Sequence, residues 1–142
     1  FKPMHLETKG TYGRCASVFL AMCMLRDEKA GDSIEDKNSL FKKAKDAIYN
    51  AYHRKQERWT AGESAFLKTM TDATGLTAAD YEAAEKDATV TALADSWKVT
   101  YDVAKIQGIP AYVVNGKYLI MTKSIRNFDG MVSLVKELAA MK

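Results

Sequence analysis

Two thiols, two imidazoles and one proline turn are the groups in this chain with chemistry to offer, and their spacing decides what they can do. The 142 residues include Cys15 and Cys23 and no other cysteine. A thiol serves as nucleophile, metal ligand or half of a disulfide, and each use needs a partner nearby. Neither cysteine has a second one at x-x spacing, and neither has a His and an acid arranged around it in sequence. Their separation of 8 residues lies in a helical pattern and corresponds to a rise of roughly 12 Å. A disulfide needs Cα atoms within about 7 Å, so the pair does not bridge inside that helix. Both are expected as small core-filling side chains. Cys15, nearer the helix start, is expected to be the more exposed thiol, because a helix N-terminus lowers thiol pKa. His5 and His53 stand far apart with no ligand-like spacing to Cys or acids, which argues against a metal site. No cofactor is expected.

The densest signal is Lys105-Ile-Gln-Gly-Ile-Pro-Ala-Tyr-Val-Val-Asn-Gly-Lys-Tyr-Leu-Ile120. Gly108 ends a helix, Pro110 fixes φ and removes a ladder donor, and Asn115-Gly116 has the residue types of a two-residue type I′ turn between two apolar strands.

The elements that must position these groups follow from periodicity. Phe1-Lys-Pro-Met-His-Leu-Glu7 alternates like a strand. Thr11 is placed to cap a helix from about Tyr12 to Lys29, apolar nearly all round and stopped by Gly31. After a polar loop, Asn38 or Ser39 caps an amphipathic helix with Leu40, Phe41, Ala44, Ala47, Ile48, Ala51 and Tyr52 at helical spacing and Lys42, Lys43 and Lys45 on the wet face. His53-Arg-Lys-Gln-Glu-Arg58 reads as a solvated helix end. Thr60 with Glu63, and Thr77 with Asp80, have the T-x-x-[ED] form of a capping box ahead of two short helices. A longer helix is expected over about Ala88–Ile106, then strands over Ala111–Val114 and Lys117–Ile120, then a last helix over about Asp129–Met141. Tyr49, Tyr52, Trp59, Trp97 and Tyr101 are expected in core or inter-helix packing.

Composition bounds the function class. Charged residues are 27%, hydrophobic residues 47%, and the net charge of +3 comes from scattered Lys and Arg, a pattern without a nucleic-acid signature. The longest apolar run, Cys15 to Leu25, is interrupted only by Ser17 and falls well short of the roughly 20 residues of a bilayer span. The length suits one domain with a proper core. Because residue 1 is Phe, the expectation is that upstream sequence has been removed.

Gln107-Gly-Ile-Pro-Ala-Tyr-Val-Val-Asn-Gly-Lys-Tyr118, with Tyr101-Asp-Val-Ala-Lys-Ile-Gln107, Tyr49 to Trp59 and His5-Leu-Glu-Thr-Lys-Gly10, resembles the DsbA-type thiol:disulfide oxidoreductases and, within them, the DsbL-like branch. The resemblance covers essentially the whole chain. It implies an α/β, thioredoxin-like fold with an inserted helical subdomain: an edge strand over 1–8, the helical insert over 11–107, and a cis-proline hairpin with the C-terminal helix over 108–142. By the same resemblance Pro110 is the cis-proline, Ile109 the residue whose amide and carbonyl meet substrate, and Gly108 the hinge that lets the backbone approach. The family's N-terminal strand, Cys-x-x-Cys and following helix have no counterpart here, so the chain is expected to be redox-inactive by itself. The intact form would introduce disulfides into reduced substrate proteins in the periplasm, with a membrane redox partner of the DsbB/DsbI type. In a thioredoxin-type sheet the absent strand separates the opening strand from the proline strand, leaving a slot of roughly 9 to 10 Å. Strand exchange in a homodimer, closing of the remaining strands, or a companion segment would fill it. Two other readings stay open: a non-catalytic peptide-binding remnant of the fold, and a glutathione-dependent isomerase built on it.

Overall fold

The computed structural model describes residues 4–5, 11–99, 112–114, 118–120, 136–137 and 139–140. The chain divides into two compact units, Phe1–Lys98 and Val99–Lys142.

The first unit is helical among its described residues. Helix α1 (Gly13–Ala30) is its axis and packs against each of α2 (Leu40–His53), α3 (Glu63–Thr74), α4 (Ala78–Lys86) and α5 (Ala88–Ser96). Its apolar surface goes nearly all round because it has neighbours on several sides. Phe19, Ala21 and Cys23 have no exposed surface, and Leu20 and Met22 have almost none. Burying one such large side chain stabilises by about 1.5–3 kcal/mol. Gly31 ends the helix in the left-handed conformation, with Asp32 N–H donating to Asp27 O at 2.9 Å, so the orphan carbonyls are satisfied.

Helix starts test the sequence reading most closely. Ser39 caps α2 as expected, accepting from Lys42 N–H at 3.2 Å. The Thr77–Asp80 capping box at α4 is present in both directions. Thr11, by contrast, is not the cap of α1. Tyr12 occupies that position without a side-chain cap, and its phenol donates instead to Trp59 O at 3.1 Å. The Thr60–Glu63 box also fails. The chain enters α3 through Trp59 at φ 50° and Gly62 at φ 115°, which makes Gly62 the N-cap and leaves Thr60 two residues too early. Only glycine adopts such a φ without strain.

The expected long helix over Ala88–Ile106 is α-helical only to Ser96 and tightens into a 3-10 turn over Trp97–Val99. Ser96 Oγ–H donates to Leu93 O at 2.6 Å, a local bond that competes with the helical ladder, while the Trp97 indole is buried. The later part of that stretch lies outside the described residues. Met4 and His5, the described part of the expected opening strand, carry no regular secondary structure.

In the second unit, β1 (Tyr112–Val114) and β2 (Tyr118–Ile120) pair antiparallel, Tyr112 with Ile120, Val113 with Leu119 and Val114 with Tyr118. The two expected strands are thus present, but the register corrects their connection. Pairing Val114 with Tyr118 leaves three residues between partners, whereas a two-residue turn at Asn115-Gly116 would oppose Val114 to Lys117. Positions 136–137 and 139–140 are helical and exposed, inside the stretch expected for the last helix.

Candidate functional site

Both thiols are free and lie in the wall of α1 that faces the core. Cys15 is 3% exposed, which overturns its expected role as the accessible thiol. Burial pushes its pKa up to about 11, against a hydrogen bond from Tyr81 that lowers it, with the carboxylates of Glu63 and Glu85 adding a further rise. At Cys15 desolvation of the charged form is the largest effect, and it outweighs what a nearby helix N-terminus could contribute. Tyr81 is itself raised, first by burial and then by its bond to Cys15. Cys23 is pushed up to about 12, again by burial first, then by Asp27, with Arg26 opposing. Both sit where small core residues were expected, and at neutral pH neither supplies a thiolate. Gly108, Ile109 and Pro110, the expected substrate-facing residues, lie outside the described residues, as do Asn115, Gly116 and Tyr101; β1 begins two residues after Pro110.

The first unit instead presents a cavity of about 620 Å³ between the start of α1, the second half of α2 and the segment joining α2 to α3. Its floor is apolar: Ala16 and Leu20 from α1, Phe66 from α3, and Trp59. Trp59 is held through its indole by two contacts and through its backbone by a third. Its Nε1–H donates to Thr69 Oγ1 at 2.8 Å, Phe66 meets it edge-on at 4.9 Å, and its backbone N–H donates to Glu57 Oε1 at 2.7 Å. These contacts hold a residue whose left-handed backbone costs a non-glycine side chain roughly 1 kcal/mol.

The rim is cationic and aromatic. Arg58 lies with its guanidinium 3.9 Å from the centroid of the Tyr52 ring and donates to Tyr52 O at 2.9 Å. The His53 ring stands between Tyr49 and Tyr52, at 4.4 and 5.0 Å. Lys45 extends the rim along α2, and His5, in hydrogen-bond contact with buried Ser17 at 2.6 Å, closes the opposite side. No carboxylate lines the cavity among the described residues.

Tyr49 and Tyr52 are therefore misplaced by the sequence reading, being 59% and 43% exposed rather than packed inside. Trp59 and Trp97 are buried as expected. The signal that would have found the rim is the interleaving of basic and aromatic residues from Tyr49 to Trp59, which helical spacing alone reads as a packing face. Among the described residues no group of three His, Cys, Asp or Glu side chains is placed to hold a metal ion.

No family model matches the chain. It is 56% identical over 142 residues to the thiol:disulfide interchange protein DsbL of Escherichia coli O6:H1 strain CFT073, and equally to the protein of that name from Klebsiella pneumoniae. It spans 64% of the length of these curated relatives. Among solved structures it matches reduced DsbL with a TM-score of 0.92, covering 73% of that chain. It also matches DsbL of Salmonella enterica serovar Typhimurium with a TM-score of 0.94, covering 72%, again at 56% identity.

Proposed function

The chain belongs to the DsbL branch of the DsbA-type thiol:disulfide oxidoreductases, with their thioredoxin-like fold, and on that footing we propose that it forms the helical and proline-hairpin portion of a periplasmic enzyme that introduces disulfides into reduced proteins. The observation that carries this reading is the 56% identity over 142 residues to relatives named as thiol:disulfide interchange proteins. In the proposal residues 1–142 belong to one DsbA-like domain, and the reactive Cys-x-x-Cys unit is carried by the part of the relatives' length that this chain does not span. The buried state of Cys15 and Cys23 supports that division, since thiolate attack needs an accessible, ionised sulfur. Gly108, Ile109 and Pro110 are the residues proposed to meet the substrate backbone.

The reaction follows thiol–disulfide exchange. A substrate thiolate attacks one sulfur of the enzyme disulfide, and a mixed disulfide forms as the other sulfur leaves. The second substrate thiolate then displaces the enzyme, so the substrate loses two electrons that remain on the reduced enzyme pair. A membrane redox partner is proposed to take them.

A peptide-oxidation assay tests the division of labour. The 142-residue chain should give the uncatalysed rate, unchanged by Cys15→Ser, and fusion behind the preceding region of the Escherichia coli relative should restore turnover. Turnover by the chain itself that disappears in Cys15→Ser sinks the reading. Light scattering on the same samples separates a monomer from a strand-exchanged homodimer.

A further inference from the structure

The geometry points to the cavity beside Trp59 as a binding site for a small aromatic anion, a flat ring carrying a sulfonate, sulfate or carboxylate group. Its volume of about 620 Å³ lies within the roughly 300–1,000 Å³ of small-molecule sites. The floor is built of rigid, buried aromatics, with Trp59 and Phe66 edge-to-face at 85° and Tyr12 stacked on Phe66 at 5.3 Å, and the rings open to a ligand are those of Tyr49 and Tyr52 above it. Aromatic rings gain from such offset and edge contacts beyond their area alone.

Charge selects the class of ring. Lys45 and Arg58 bring two positive charges to the rim, and no carboxylate lines the cavity among the described residues. Thr11, Tyr12 and Gly13 bring the start of α1 to the same cavity, and that 18-residue helix has no capping side chain at its N-cap. Its first-turn N–H groups add to the positive field an anion would meet. A neutral ring would use the floor and waste the rim, and a cationic ring would be repelled. The segment that carries Arg58 and Trp59 is held in a left-handed conformation at Gln56, φ 57°, and at Trp59, φ 50°, so the site is preorganised. The proposal does not rest on the thiol-exchange reading, and its success or failure does not bear on it.

The test titrates the full 142-residue chain with naphthalene-2-sulfonate, with neutral 2-naphthalenemethanol and with 2-naphthylmethylammonium, following the Trp59 indole N–H resonance and the heat of binding. The sulfonate should bind at least about tenfold more tightly than either analogue, and raising the salt from low to high ionic strength should weaken the sulfonate alone. Lys45→Gln should weaken sulfonate binding several-fold, while Lys43→Gln, an exposed neighbour on the same helix that does not line the cavity, should leave it unchanged. Equal binding of all three naphthalenes, equal effects of the two lysine changes, or binding that leaves the Trp59 resonance unmoved would each overturn the proposal.

Discussion

The carboxylate of Asp27, in the last turns of α1, accepts the backbone N–H of Phe41 in the first turn of α2 at 2.9 Å, and its second oxygen accepts Leu40 N–H at the same distance. Asp27 is 2% exposed, so one buried acid joins two helices separated by an irregular loop. A charge near the positive end of a helix, satisfied by two donors, is among the arrangements in which a buried carboxylate stabilises. Asp27→Ala leaves two N–H groups without their acceptor and should lower unfolding free energy by about 3 kcal/mol. Asp27→Asn, which keeps one acceptor oxygen, should cost about half of that. Urea denaturation with an unchanged m-value checks both.

Trp59 and Thr69 allow a test of asymmetry. Thr69→Val leaves the buried indole N–H without the partner it now has at 2.8 Å and should cost about 1–3 kcal/mol. Trp59→Phe removes donor and bulk together. The double variant should be less destabilised than the sum of the two, a coupling that a double-mutant cycle reads directly.

Capping separates two threonines that look alike in sequence. Thr77→Ala breaks an observed capping box and should cost about 1 kcal/mol, whereas Thr60→Ala, outside any box, should fall within about 0.5 kcal/mol of the parent. Equal effects in thermal unfolding would contradict the observed register of α3. The Asp80 carboxylate is held below its ordinary range first by its backbone hydrogen bond at Thr77. Its contribution is therefore present above the ordinary carboxylate pKa and lost as pH falls through the depressed folded value.

Alkaline pH should unfold the helical unit through its thiols. Cys15 and Cys23 are raised from 9.0 to about 11 and about 12, so the unfolded chain releases protons that the folded chain retains. Stability from these groups is fully present below pH 9 and is lost as pH rises toward the folded values, by about 1.4 kcal/mol per thiol at pH 10. The Cys15→Ala, Cys23→Ala double variant should start less stable at pH 7 and lose less between pH 9 and 11. Parallel losses in parent and variant would show that other groups drive the alkaline transition.

Local chemistry was legible wherever the deciding interaction is local. Ser39 and Thr77 cap within three residues of themselves, Gly31 ends α1 by its own backbone freedom, and the all-round apolar pattern of α1 means burial whatever the neighbours are. Family membership was legible in the proline segment and its flanks. Tertiary structure decided the rest, because the determining partners are distant in sequence. Tyr12 turns to Trp59, 47 residues away, and Thr11 is not the cap. The left-handed entry at Trp59 and Gly62 moves the start of α3 past Thr60. Burial under Tyr81 closes Cys15 off from solvent despite its place near a helix N-terminus, since desolvation outweighs a partial charge. Periodicity reports that Tyr49 and Tyr52 share a helix face but not whether another element covers it. Here nothing among the described residues covers that face fully, and the aromatic and cationic side chains left there form the rim of a cavity.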